Sequence, residues 1–286
     1  MDMDTLAVFR ALAGRQILAM DKDDLISAII MAEKKSKTYA DNFPEDEERT
    51  EKPVDAGNGV RIIPIKGIIS HGFDKYTRFY FGMTETENIT QWTKNAITDS
   101  SVRAIVFHID SPGGFVQGVA ETAEILAEAT RAKPTISQTS TQMASAAFWL
   151  GAAANLIYAT PSATVGSIGV FTTHFDVQGW MDEMGVRLEV YKSGENKAAG
   201  IGGTSLTKSQ KALIQADIDS IGAEFRAFVS AHRRWIKPEA MDGRAVSAKA
   251  SMAAGMGLVD SFADLQAAIR DAATLATRAD KSPSGV

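Results

Sequence analysis

The sequence predicts an α/β domain built around a largely parallel sheet. Three observations carry this expectation. β-Branched apolar runs recur through the middle of the chain, and helical patterns alternate with them. One run, Val102–Asp110 (VRAIVFHID), is apolar almost throughout. Strands alternating with helices are the pattern of βαβ units, and a near-continuous apolar strand is one covered on both faces.

The elements follow in order. Residues 1–35 hold two helical patterns. Leu6, Phe9, Arg10 and Ala13 recur at helical spacing, and Asp23 or Asp24 can cap a helix carrying Leu25, Ile26, Ile29 and Ile30. Lys34–Asn58 is polar and acidic and reads as a linker or mobile arm. Val60–Ser70 is a strand by its β-branched content, Thr86–Thr98 a helix, and Val102–Asp110 a strand. The turn Ser111-Pro112-Gly113-Gly114 leads to a helix over Val116–Ala132. Strand PTISQTS, a buried helix in ASAAFWLGAAA, strand LIYAT and a glycine-punctuated strand or turn, SATVGSIGVF, come next. Phe175–Met184 reads as helical and Val186–Gly194 as another strand. Leu206–Lys237 is a long amphipathic helix that Thr207 can cap. Short helices follow at Glu239–Met241, Val246–Met252 and Leu265–Thr277, with a brief strand at Gly257–Asp260 and a frayed end. The division expected is 1–58 as a helical segment and acidic linker, 59–262 as the α/β domain, and 263–286 as a C-terminal helix and tail. No internal sequence repeat is evident.

Composition narrows the function. The chain has 286 residues, 45% of them hydrophobic and 23% charged, enough to build a sizeable core. A net charge of −5 offers no electrostatic footprint for nucleic acid. With no cysteine, disulfides, thiolate metal sites and a cysteine nucleophile are excluded. His71, His108, His174 and His232 are scattered, with no pair at metal-ligand spacing. The start lacks a basic n-region and is interrupted by Arg10 and Arg15, unlike a secretory signal. Pro134–Phe175 carries no Asp, Glu, Lys or Arg, yet Gln138, Gln142, Asn155 and Pro161 break it well short of the roughly 20 apolar residues that span a bilayer. A soluble, intracellular protein is expected.

Three turns carry candidate chemistry. In Asp110-Ser111-Pro112-Gly113-Gly114, paired glycines let the backbone approach a ligand closely or present N–H groups to an anion, or simply close a tight turn. Ser145, between Ala144 and Ala146 at the start of a buried helix, is placed either as a nucleophile or as an N-cap. In Tyr191-Lys192-Ser193-Gly194-Glu195-Asn196-Lys197, a lysine can act as general base where burial disfavours its ammonium, or lie solvated on a surface turn. There is no Walker loop, dinucleotide fingerprint or G-x-S-x-G elbow.

Taken in order, DSPGG, the small-residue serine about 30 positions on, VGSIGV and YKSG-x-x-K, these motifs resemble those of the S49 peptidases. That family holds the signal peptide peptidase A enzymes and their phage relatives, the capsid-maturation proteases. The resemblance covers about Val60–Asp260 and implies a ClpP/crotonase-type fold of stacked βαβ units. It implies Ser145 as nucleophile and Lys197 as general base, with Lys192 the alternative five residues earlier. It places Gly113, Gly114 and Ala146 at the oxyanion hole, and Ser167 as a hydroxyl that can hydrogen-bond the lysine. Phe115, Phe148 and Trp149 could line a pocket for small or apolar residues, or belong to the core. No metal or cofactor is implied.

Two departures stand out. Ala146 and Ala147 stand where the family usually has two glycines after the nucleophile, and neither a membrane anchor nor a tandem copy is expected. The second departure leans toward the phage branch: capsid, portal or scaffold proteins as substrates, a homo-oligomer, and the host cytoplasm or assembling head as location. The apolar residues of Leu206–Lys237, Phe228 and Trp235 among them, could supply the oligomer interface or pack on the domain itself. Alternatives are a crotonase-like acyl-CoA hydratase or isomerase using Glu121 and Glu124, a cellular peptidase that degrades signal peptides, and a catalytically silent head protein.

Overall fold

The computed structural model describes residues 18–20, 51–73, 75–174, 176–201 and 203–281. The two helical patterns expected in residues 1–35 lie outside the described residues, as do positions 282–286. In chain order the elements are β1 (Leu18–Met20), β2 (Val54–Asp55), β3 (Val60–Lys66), β4 (Ile68–Ser70), α1 (Lys75–Phe81), β5 (Met83–Glu85), α2 (Thr86–Thr98), β6 (Ala104–Asp110) and β7 (Gly113–Phe115). They continue with α3 (Val119–Ala132), β8 (Thr135–Thr139), β9 (Gln142–Ala144), α4 (Ala146–Gly151), β10 (Leu156–Ala159), β11 (Thr164–Gly166), α5 (Gln178–Glu183) and α6 (Lys208–His232). A 3₁₀ turn (Pro238–Met241), β12 (Ala245–Ser247), α7 (Ala248–Ala253), β13 (Ser261–Phe262) and α8 (Leu265–Lys281) complete the chain.

The architecture is the mixed α/β one expected. The main sheet has strand order β13-β10-β8-β6-β3-β2, parallel throughout except for the short antiparallel β2–β3 pair. Successive parallel strands are joined by helices, as parallel pairing requires. Side-chain alternation sends each strand to two cores. Ile63, Ile65, Ile105, Phe107 and Ile109 face the larger cluster, shared with α2, α3, α4 and the end of α6. Val60, Ile62, Ala104 and Val106 face the smaller one, closed by Ala268, Ala272 and Ala276 of α8. Tyr158 fastens α8 by donating to Asp271 at 3.0 Å; burial and that bond push its phenol up to about 12.

Each long strand runs on into a three-residue strand of a different sheet: β3 into β4, β6 into β7, β8 into β9 and β10 into β11. A structural repeat of long strand, short strand and helix therefore exists without a sequence repeat. Three residues are too few for a period-2 pattern to stand out. For this reason Val60–Ser70, expected as one strand, is two. At Gly67 the backbone turns with φ 67°, and a Cβ there would lie 2.0 Å from the Gly82 carbonyl oxygen. Ile68–Ser70 then pairs with β5 in a second sheet, of order β1-β7-β4-β5. The third sheet, β12-β11-β9, completes the set.

Other expectations shift. Val186–Gly194 is not a strand: it pairs with nothing among the described residues, and Tyr191 is 91% exposed. β-Propensity without a partner strand does not hold an extended segment in a sheet. The helix expected over Val246–Met252 starts at Ala248, because Ala245–Ser247 is taken by antiparallel pairing with β11. The strand expected at Gly257–Asp260 forms at Ser261–Phe262 instead, where Asp260 accepts from the Ile157 N–H at 2.7 Å and binds Arg233 at 2.7 Å. The long helix is capped by Thr207, whose hydroxyl and Gln210 form a reciprocal capping box. It ends at His232 rather than Lys237. Its C-terminal half supplies Phe225, Phe228 and Val229 to the core, so Phe228 is not a surface residue.

Candidate active site

The site is built where the short strands meet. At the C-terminal end of β6, Asp110 carries the turn that starts β7. Its Oδ1 accepts from the Thr139 hydroxyl, the Ser140 N–H, and the Thr141 N–H and hydroxyl at 2.7–3.2 Å. Its Oδ2 takes Lys66 at 2.5 Å and faces His108 at 3.3 Å. Burial works against this charge, but the hydrogen bonds from His108, Lys66 and Thr141 outweigh it and hold the carboxyl well below the usual range. One carboxylate thereby ties the end of β6 to the loop between β8 and β9.

That loop delivers Ser145. Ser111 and Met143 form a parallel bridge, with the Ser111 N–H donating to the Gln142 carbonyl at 2.8 Å and the Ala144 N–H to the Ser111 carbonyl at 3.2 Å. Beyond Ser111, the Gly113 N–H donates to the Ser111 hydroxyl at 3.1 Å. Gly114 lies so close to β4 that a Cβ would sit 1.9 Å from the Ile69 carbonyl oxygen, so only glycine fits there. The two-glycine turn and the serine are thus brought together through a single pair of residues.

Ser145 stands between β9 and α4 with φ 55° and ψ −122°, a conformation that costs a non-glycine residue about 1–3 kcal/mol. Strain of this kind, on a sharp strand-to-helix turn, holds a nucleophilic serine at the end of a sheet. The sequence motif of such an elbow is absent, but its backbone form is present. The Ser145 N–H donates to the Gly166 carbonyl at 2.8 Å and its hydroxyl to the Gly169 carbonyl at 3.3 Å. The residue is only 1% exposed. Ala146 opens α4, where the first N–H groups have no intrahelical acceptor.

Ser167 follows Gly166, so it too lies beside Ser145; its φ is 54° and its N–H donates to the Arg244 carbonyl at 2.8 Å. Among the described residues four non-glycines have positive φ: Asn58, Ser145, Ser167 and Ala198. Two are candidate site serines and a third adjoins Lys197.

Lys197 itself is placed differently. It is exposed, its N–H donates to the Gly194 carbonyl at 3.1 Å, and its ammonium makes no hydrogen bond or ion pair among the described residues. Lys192 is also exposed and donates to the Glu195 carbonyl at 2.9 Å. The structure therefore unites Gly113, Gly114, Ser145, Ala146 and Ser167, and leaves both lysines on the surface.

Neighbouring expectations sort by burial. Phe148 and Trp149 are core: Trp149 stacks on Phe225 with ring centroids 4.4 Å apart. Phe115 packs against Phe73 at 4.9 Å. Glu121 and Glu124 are on the exposed face of α3. The sequence marks Asp110 only as the start of the glycine turn; its carboxylate bonds residues 139–141, some 30 positions on, and a pairing of that range leaves no local pattern. No group of His, Asp and Glu among the described residues is arranged to hold a metal ion, and no helix among them is long and apolar enough to cross a membrane.

Comparison with known proteins sharpens the picture. The chain is 27% identical over 261 residues to capsid assembly protease C of Escherichia phage lambda, covering 91% of this chain and 59% of that protein. It is 29% identical over 235 residues to Protease 4 of Salmonella typhi, covering 78% of this chain and 36% of that one. The chain thus spans less than two thirds of the length of either relative. Solved structures similar to it include enoyl-CoA hydratase/isomerase family proteins from Silicibacter pomeroyi and Hyphomonas neptunium. The first has 16% identity over 81% of this chain and 83% of that one, with a TM-score of 0.44. The second has 15% identity over 82% and 78%, with a TM-score of 0.45. These overlaps are too loose to bear on chemistry. Residues 127–278, which include Ser145 and Lys197, match the model of peptidase family S49, and the chain belongs to that family.

Proposed function

We propose that this chain is a serine endopeptidase in which Ser145 is the nucleophile and Lys197 the general base, and that it processes head or scaffold proteins of a phage. The observation that carries the reading is the strained Ser145 turn, held by two short strands beside the Gly113–Gly114 backbone. In the proposed reaction the neutral Lys197 amine takes the Ser145 hydroxyl proton as Oγ bonds to the scissile carbonyl carbon. The N–H groups of Gly114 and Ala146 receive the oxyanion. Collapse breaks the C–N bond, and the lysine ammonium returns its proton to the leaving amine. The same amine then deprotonates the water that releases the acyl chain.

For this chemistry the Lys197 amine must lie against Ser145 and be shielded from water. The segment that carries it also exposes Trp180, Met184, Val186, Leu188 and Tyr191. Exposed apolar side chains clustered along one segment can form an interface. The reading therefore has copies of the chain associate through residues 177–201, burying Lys197 as they do. The part of the chain assigned to catalysis is 59–262. Capsid, portal or scaffold substrates are inferred from the lambda relative, and they put the enzyme in the host cytoplasm or the assembling head.

The test is an alkyl fluorophosphonate probe followed by intact mass, beside co-expression with capsid and scaffold proteins. Expected are a single adduct on Ser145, absent from Ser145→Ala, and new termini in a head protein. No adduct, or an adduct that persists in Ser145→Ala, overturns the assignment.

A further inference from the structure

The second sheet contains a partner the α/β pattern does not call for. Its order is β1-β7-β4-β5, and β7 pairs antiparallel with β1 in the register Leu18 with Phe115, Ala19 with Gly114, and Met20 with Gly113. Without β1, the strand that carries the two glycines would be the edge of its sheet. Open edges present unpaired N–H and C=O groups that recruit an extended chain, and proteins that bind peptides by strand addition use such edges. This edge is short, and its Gly113 and Gly114 put no side chain in the way of an approaching backbone.

Its position matters more than its existence. Ser111 lies two residues before Gly113, and its bridge partner Met143 lies two residues before Ser145. The edge that β1 covers is therefore tied directly to the strained serine. The covering strand comes from more than 90 residues earlier in the chain and carries Leu-Ala-Met, between Gln16-Ile17 and Asp21-Lys22. It is a peptide of small and medium apolar residues held extended and antiparallel at the oxyanion strand.

We propose that the outer edge of β7 is the acceptor for extended apolar peptide and that this chain's own Leu18–Met20 is its resident occupant. Any polypeptide cleaved at Ser145 must then displace that segment first. The statement about occupancy stands on the pairing alone; its consequence for cleavage rests on the reading of Ser145 as nucleophile.

The experiment separates the two. Neighbouring residues of a strand point their N–H groups to opposite sides, so one of Leu18 and Ala19 donates toward β7, and a proline at that position removes the donor. Leu18→Pro and Ala19→Pro are each made in the full chain carrying Ser145→Ala, which cannot turn over. Amide hydrogen exchange is read at Gly114 and Phe115, of which one faces β1. Binding of a fluorescein-labelled peptide spanning residues 16–22 is followed by anisotropy.

At least one proline variant is expected to speed exchange at the β1-facing amide by tenfold or more and to tighten peptide binding by threefold or more. In the chain with Ser145 intact, the same variant should lower KM for an extended apolar peptide by a similar factor and leave kcat unchanged. If neither variant alters exchange and neither alters peptide binding, the proposal is overturned. If exchange and binding respond while no variant cleaves any peptide, occupancy of the edge stands and the reading of Ser145 fails.

Discussion

Two regions of this molecule supply the proposed catalytic groups, and they are built in opposite ways. Residues 110–169 fold through short strands into buried sheets, with Ser145 and Ser167 in backbone conformations that only a surrounding structure can hold. Residues 177–201 contain one short helix, no strand among the described residues, and a row of apolar side chains facing outward, Trp180 at 63% exposure. The first region is completed by the chain's own core; the second mixes exposed apolar side chains with charged ones such as Asp182, Arg187 and Lys192 and has no core to join. On the proposed reading, the contrast is that the nucleophile is fixed by its own fold while the base depends on association of chains.

The comparison breaks most visibly at Ser145. Ser145→Ala removes one hydroxyl from a packed site, so peptidase turnover should fall at least about 10⁴-fold while the melting curve stays in place. A thermal scan beside a peptide assay reads both. Residual activity near the parent rate would mean that the strained turn has another purpose.

Lys197→Ala tests the other region. Turnover should drop about 10³-fold or more, yet stability should move by less than about 0.5 kcal/mol, since the side chain is exposed and unpartnered. Lys192→Ala, which loses one bond to the Glu195 carbonyl, should retain most of its activity. Single-turnover acylation with each variant distinguishes them, and the reverse pattern would move the base to Lys192.

Gly114→Ala strikes the first region through packing alone. A methyl 1.9 Å from the Ile69 carbonyl oxygen must push β7 from β4, costing about 3 kcal/mol and tilting the proposed oxyanion donor. Chemical denaturation should register the loss. An unchanged midpoint would show that β7 can slide without penalty.

Asp110→Asn addresses the clamp. Because the folded carboxyl titrates below its unfolded value of about 3.9, its charge stabilises the fold fully above that pH. The contribution is lost as pH falls from about 4 toward the depressed folded value. The variant should lose about 2 kcal/mol at pH 7, and its deficit should shrink progressively below pH 4. Urea midpoints at pH 7 and pH 3 check this; a deficit that stays constant would mean the charge itself is idle.

The smallest effect on the fold is expected from Trp180→Ser, within about 0.5 kcal/mol for the isolated chain. Light scattering should nonetheless show a shift toward monomer, with activity falling in step. An unchanged mass with full activity would leave the exposed row without a role in association.

How far the sequence could be read follows the same division. The helix Thr86–Thr98, the strands within VRAIVFHID and LIYAT, and the Thr207 cap were all legible, because burial on two faces and capping chemistry leave marks over several residues. The ordered motifs around Gly113, Ser145, Ser167 and Lys197 were legible as a set. The failures came where pairing decides. Val186–Gly194 has strand composition and no partner, while Ala245–Ser247 has helical neighbours and pairs with β11. Three-residue strands such as β7 and β9 are too short to show a period at all.

By itself, then, the sequence determined the α/β class, the long strands and helices, and which residues are candidates for chemistry, since local periodicity and side-chain type suffice for those. Only the tertiary structure decided that each long strand turns into a short one and that Asp110 clamps two loops together. It alone strained Ser145 between β9 and α4, left Lys197 on the surface, and laid Leu18–Met20 along β7. Each of these depends on contacts between residues far apart in the chain, and such contacts leave no local pattern to read.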